Sequence, residues 1–144
     1  MNVVPQVLSV EDNPQLFALI QLSLQSLPIH LHHAPTGQEA IDLLQQVDID
    51  LIILDIMLPD MHGWTILKEV EARNITIKGV IVLTAQEAAT HRLIARLQDV
   101  SIYINKPFSP HDLRAKVAKT LGIPNTSPKN SRLSASNKVQ QPSG

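Results

Sequence analysis

Residues 51–63 read Leu51-Ile52-Ile53-Leu54-Asp55-Ile56-Met57-Leu58-Pro59-Asp60-Met61-His62-Gly63, and the fold is decided by how this stretch begins and ends. Four large aliphatic residues follow one another without a polar break and stop at a carboxylate. A strand with one wet face alternates apolar and polar residues. A run this dense suits a strand buried on both faces, as in a parallel sheet covered by helices. Residues 7–10, 80–83 and 102–104 form similar runs, each ending at a polar or acidic residue, and a weaker run at 29–33 alternates aliphatic residues with histidine.

Longer segments with helical spacing lie between the runs. Residues 14–27 carry Leu16, Ile20, Leu24 and Leu27 on one stripe, with Pro14 where a first helical turn tolerates it. Residues 38–46 offer Ile41 and Leu44, residues 64–72 Ile66, Leu67 and Val70, residues 86–97 Ala89, Leu93, Ile94 and Leu97, and residues 110–121 Leu113, Val117 and Leu121. Ser109 ahead of Pro110 is placed to cap the last helix. Strand–helix alternation repeated five times with short links predicts an α/β fold, a doubly wound parallel sheet of five strands with five helices on its two faces. The domain is predicted over residues 1–122. Residues 123–144, rich in Ser, Asn, Pro and Gln and without Asp or Glu, read as a flexible tail or linker stub. Its Lys129, Arg132 and Lys138 are expected to be solvated.

The bulk numbers narrow the function. A chain of 144 residues has room for one domain and a tail, and 44% hydrophobic residues is enough to build a core. A formal net charge of −1 points to neither nucleic acid nor an anionic membrane as an obligatory partner. The absence of cysteine excludes disulfides, thiolate metal sites and cysteine nucleophiles. The apolar runs are too short to span a bilayer, so no membrane insertion and a cytoplasmic location are expected.

In a doubly wound sheet, ligands collect at the carboxyl ends of the strands. There the chain places Glu11-Asp12, Asp55, Thr84 and Asn105-Lys106-Pro107. Singly, each has a bland account: Glu11-Asp12 as a helix cap, Asp55 as a strand-end turn former, Thr84 as a β-branched strand end or cap, Lys106 as a surface residue before a turn. All four accounts must hold at once for the cluster to be accidental. Three nearby carboxylates raise one another's pKa unless a cation neutralises them. A hard ion such as Mg²⁺ prefers oxygen donors, and an aspartate beside it can attack phosphorus. The ion and the lysine would then neutralise the transferring oxygens while the hydroxyl donates a hydrogen bond to one of them.

The chain resembles the receiver domains of two-component response regulators from Val4 to about Leu121. The resemblance rests on Val10-Glu11-Asp12, on Asp55 with the Met-Leu-Pro turn and Gly63, on Leu83-Thr84-Ala85, and on Tyr103-Ile104-Asn105-Lys106-Pro107-Phe108. It implies a flavodoxin-like strand order 2-1-3-4-5, a stand-alone chemotaxis-regulator-like switch, and phosphorylation of Asp55 by a histidine kinase or histidine phosphotransfer protein. By the same resemblance, Glu11, Asp12, Asp55 and the Met57 carbonyl hold Mg²⁺ or Mn²⁺. Lys106 and Thr84 contact the phosphoryl group, Thr84 and Tyr103 form the switch, and Met57 and Gln86 modulate dephosphorylation. The Lys106–Pro107 bond is expected to be cis, and Gly63 to relieve crowding at the start of the third helix.

A downstream protein is expected on the face formed by 86–97, 102–104 and 110–121, which carries Arg92, Arg96, Lys116 and Lys119. Asp99-Val100 departs from the family's Gly-Ala pair, which suggests a reshaped end of the helix preceding it. The alternative is a pseudo-receiver that binds protein without being phosphorylated. An aspartyl-phosphate hydrolase of the haloacid dehalogenase type lacks its Asp-x-Asp signature here, and a tail of this length is too short for a helix-turn-helix, so no direct nucleic-acid contact is expected. His30 and His32 share one strand face and His33 the other, so they read as surface residues rather than a three-histidine metal site.

Overall fold

A computed structural model describes residues 3–84 and 102–126 of the 144-residue chain. The apolar runs form five strands: β1 (Gln6–Val10), β2 (His30–Ala34), β3 (Leu51–Asp55), β4 (Gly79–Thr84) and β5 (Ile102–Asn105). The described helices are α1 (Pro14–Leu24), α2 (Gly37–Gln46), α3 (Gly63–Ala72) and α4 (Pro110–Leu121). The helix predicted at 86–97, with Gln86, Arg92 and Arg96, lies outside the described residues, as do Asp99-Val100 and the three basic residues of the tail.

The strands pair in parallel in the order β2-β1-β3-β4-β5. Strand alternation splits the aliphatic runs between two cores. Leu8, Val10, Ile52, Leu54, Val80 and Val82 face α2 and α3. Val7, Leu51, Ile53, Ile81, Leu83 and Ile104 face α1 and α4. This explains the absence of a polar break in residues 51–54, since both sides of β3 are covered and every residue of the strand is buried. Each such aliphatic side chain contributes roughly 1.5–3 kcal/mol on burial.

The helix ends follow local chemistry. Asn13 Oδ1 accepts from the Gln15 and Leu16 amides at 2.9 and 3.1 Å and caps α1, so Glu11 and Asp12 are not the residues spent on that role. Helix α1 stops at Leu24, short of the predicted residue 27. Pro28 steers Leu27 out of helical geometry, and the chain turns through Leu27 N–H to Leu24 O and Ile29 N–H to Leu27 O bonds of 3.0 and 2.8 Å. Ser109 caps α4 as expected, and Gly122, at φ 70°, closes it in the left-handed conformation. On α4, Lys119 is exposed, whereas Lys116 is half-buried with its ammonium 2.8 Å from Asp112, so the basic face is weaker there than the sequence suggested.

Gly63 sits where the loop after β3 folds back on the strand end. A Cβ there would stand 2.7 Å from the Asp55 carbonyl oxygen and 3.0 Å from Ile56 Cα, backbone atoms that cannot step aside. Gly63→Ala is therefore expected to destabilise the protein by roughly 1–3 kcal/mol, the usual cost of overpacking. The urea unfolding midpoint measures it, and an unchanged midpoint contradicts this account of the glycine.

Candidate phosphoryl-acceptor site

Strand register assembles the site. Val10 lies level with Leu54, so Glu11 follows at the height of Asp55. Asp55 is level with Leu83, and Thr84 with Asn105, which puts Lys106 one residue beyond. The Lys106 amide donates to the Thr84 carbonyl at 2.7 Å, closing the β4–β5 end. Residues from four separated places in the chain thus meet at one edge of the sheet.

Single ligand oxygens of Glu11, Asp12 and Asp55 lie within 4.8 Å of one another. Glu11 and Asp55 are buried, whereas Asp12 faces solvent. The Lys106 ammonium stands 3.3 Å from Asp55 Oδ2 and 3.6 Å from Glu11 Oε1. One ammonium facing three carboxylates leaves the pocket net negative. Burial above all, then the neighbouring Asp55 charge, pushes the Glu11 carboxyl up from 4.5 to about 7. The Asn13 amide and Lys106 oppose that rise, while Asp12 adds to it. A cluster of hard oxygen donors with excess negative charge fits a hard divalent cation.

Several backbone contacts fix the cluster. The Asn13 amide donates to Glu11 Oε2 at 3.1 Å, and the Met57 amide to Asp55 Oδ1 at 3.1 Å. The second of these brings the Met57 peptide beside the Asp55 carboxylate, while the Met57 side chain is exposed. Thr84 is buried at the end of β4, and Tyr103 is half-buried on β5 against the α2/α3 core. The Lys106–Pro107 peptide is cis, as the resemblance implied.

Two contributors escaped the sequence. His33, read there as a surface strand residue, is exposed, but its Nε2–H donates to the Glu11 carbonyl at 2.8 Å, and its ring stacks on Phe17 with centroids 3.8 Å apart. Asp60 binds the start of α2 through two amides. Neither contact has a local signature, since each joins segments that are neighbours only once the sheet has formed. His30 and His32 stack on each other at 4.4 Å on the edge strand, with His32 Nε2 2.6 Å from Gln6 Oε1.

Residues 7–118 match the family described as the response regulator receiver domain. The chain belongs to that family. Among curated relatives, it is 35% identical over 120 residues to the sensor histidine kinase TmoS of Ectopseudomonas mendocina, covering 83% of this chain and 12% of that protein. It is 34% identical over 112 residues to the transcriptional regulatory protein TrcR of Mycobacterium tuberculosis, covering 78% and 43%. The chain therefore spans less than half the length of either relative. A signal receiver domain from Vibrio parahaemolyticus superposes with a TM-score of 0.79 at 28% identity, covering 92% of this chain and 96% of that one. Receiver domains typically bind Mg²⁺ and interact with histidine kinases and downstream effectors. Among the described residues, no helix is long and apolar enough to cross a membrane.

The raised Glu11 carboxyl sets a pH dependence for the metal-free protein. Its folded value of about 7 exceeds the 4.5 of the unfolded chain, so the folded state holds the extra proton between them. This contribution to stability is complete below 4.5 and is lost as pH rises through about 7. In EDTA, the melting midpoint is expected to fall across that window, and Glu11→Gln to flatten the fall. A midpoint rising with pH in the wild type would be the contrary result.

Proposed function

We propose that the Asp55 carboxylate accepts a phosphoryl group from a phosphohistidine of a histidine kinase or histidine phosphotransfer protein, and that the resulting acyl phosphate switches a protein-binding face. An Asp55 oxygen forms the new bond to phosphorus as the P–N bond to the histidine ring breaks, and the ring nitrogen leaves with the electron pair. The single supporting observation is the net-negative pocket in which Glu11, Asp12 and Asp55 converge with Lys106 3.3 Å from the acceptor oxygen.

Glu11, Asp12, Asp55 and the Met57 carbonyl are the groups assigned to Mg²⁺ or Mn²⁺, which would neutralise the phosphoryl oxygens during transfer. Lys106 pairs with the same oxygens, and the Thr84 hydroxyl donates to one of them. Met57 and Gln86 regulate the approach of the water that hydrolyses the acyl phosphate, so the protein catalyses both its phosphorylation and its own reset.

Phosphorylation adds about 1.5–2 negative charges and three strong acceptors at Asp55. Thr84 moves toward them, and the Tyr103 ring turns into the space left. The face around β5 and α4 then presents a changed surface to its target. This reading places the protein in the cytoplasm beside its kinase.

Mass spectrometry after incubation with acetyl phosphate and Mg²⁺ tests it. A phosphoryl mass gain in the wild type, absent from Asp55→Asn and abolished by EDTA, is expected. No gain, together with no response of Trp64 fluorescence to millimolar Mg²⁺, would identify instead a protein-binding module that is not phosphorylated. Lys106→Met is expected to tighten Mg²⁺ binding, because the ammonium competes with the ion for Asp55 and Glu11, while slowing phosphorylation. Weaker Mg²⁺ binding in that variant contradicts the competition.

A further inference from the structure

Asp60 lies in the loop between β3 and α3, and its carboxylate crosses to another element. Oδ1 accepts from the Gly37 amide at 2.8 Å and Oδ2 from the Gln38 amide at 3.0 Å. A carboxylate at a helix start is favoured by the helix dipole and by these bonds, and the Gly37 amide foremost holds the Asp60 carboxyl below its usual value. Yet α2 has a cap of its own. Thr36 Oγ1 accepts from the Glu39 amide at 3.1 Å and donates to the Glu39 carboxylate at 3.0 Å. Gln38 is exposed, so water can serve its amide, whereas Gly37 is buried beneath Met61 and its amide relies on Asp60. The bond to Gly37 therefore serves the helix start.

It serves the loop as well. Among the described residues, the loop's other hydrogen-bonded ties are the Met57 amide to Asp55 Oδ1, the Gly63 amide to the Ile56 carbonyl at 2.7 Å, and an antiparallel bridge between Met57 and His62. All of these are internal to the loop and its stem, so they set its shape without holding its far side in place. Asp60 supplies an anchor to α2. Beside it the Met61 thioether lies so close over Gly37 that a Cβ at residue 37 would overlap it.

We propose that Asp60 is a positioning residue for the phosphorylation site, clamping loop 56–62 onto the N-terminus of α2 and so fixing the Met57 peptide relative to the Asp55 carboxylate. The clamp acts through Met57 and makes no contact with the phosphoryl group. It rests on the function proposed above, because the Met57 carbonyl matters only if a cation binds there.

The test compares the full chain with Asp60→Ala, Asp60→Asn and Gly37→Ala, measuring Mg²⁺ affinity by calorimetry and the acetyl phosphate reaction at low and saturating Mg²⁺. Asp60→Ala is expected to weaken Mg²⁺ binding roughly tenfold, the scale of losses from outer-shell partners of a metal site. Its phosphorylation slows at low Mg²⁺ and recovers at saturation. Asp60→Asn, which keeps one side-chain acceptor, should recover part of the affinity. Gly37→Ala, which displaces Met61 and leaves the carboxylate intact, should shift affinity in the same direction as Asp60→Ala. A merely structural role would lower the melting midpoint without this dependence on metal concentration. Wild-type Mg²⁺ affinity in Asp60→Ala, or a rate loss that saturating Mg²⁺ does not restore, overturns the proposal. A wild type that neither binds Mg²⁺ nor becomes phosphorylated overturns the underlying function as well, which separates the two failures.

Discussion

Like charges gathered at the end of a sheet are the constraint that organises this molecule. Glu11 and Asp55 are buried beside each other, with Asp12 at the rim and one partly exposed ammonium between them. Left alone, such a group lowers stability, and the chain answers in two ways. One carboxyl retains its proton more tightly, as Glu11 does, and Lys106 spans the two buried acids. Both answers are partial, so the pocket stays receptive to further positive charge. A cluster of this charge gains most from a cation, because the ion relieves repulsion already present in the folded state.

That tension is sustainable only on a rigid base. The inner strands provide it, since β3 and β4 are buried along their whole length and their side chains divide between two aliphatic cores. An acid at the end of such a strand cannot move away from its neighbours without unpicking the sheet. Gly63 adds to this by letting the following loop lie against the Asp55 carbonyl, where any side chain would force the loop outward. The same packing that stabilises the domain therefore keeps the carboxylates close.

What the sequence revealed and what it hid divide along physical lines. Inner strands were legible because burial on both faces forbids polar residues, so residues 51–54 and 80–83 announce themselves. Asp55, Thr84 and Lys106 were legible as the points where those runs stop, and register alone then brings them together. The edge strand β2 gave a weak signal, since its histidines need not be buried. Helix α1 was read three residues too long, because its apolar stripe continues to Leu27 while Pro28 turns the backbone away. Asp60 and His33 were missed for a different reason. Asp60 binds amides more than twenty positions away, and His33 binds the carbonyl of Glu11, just beyond the end of the neighbouring strand β1, so neither bond is encoded by spacing. Residue type near the site can be read from a sequence, whereas support from behind requires the assembled fold.

The backbone around the site also limits how a signal can leave it. The Lys106 amide is bonded to the Thr84 carbonyl, and β4 and β5 are paired up to that point, so the two strand ends cannot slide past each other. Asp55 is held similarly, by pairing with β4 and by the Met57 amide on its side chain. On the proposed function, charge added at Asp55 would have to act through side chains that can change without breaking the ladder, the roles proposed for the Thr84 hydroxyl and the half-buried Tyr103 ring. Tyr103 packs on the α2/α3 core from β5, the last strand of the sheet among the described residues. The rigidity that holds three acids together would therefore, on the proposed function, leave side chains rather than strands to carry the response.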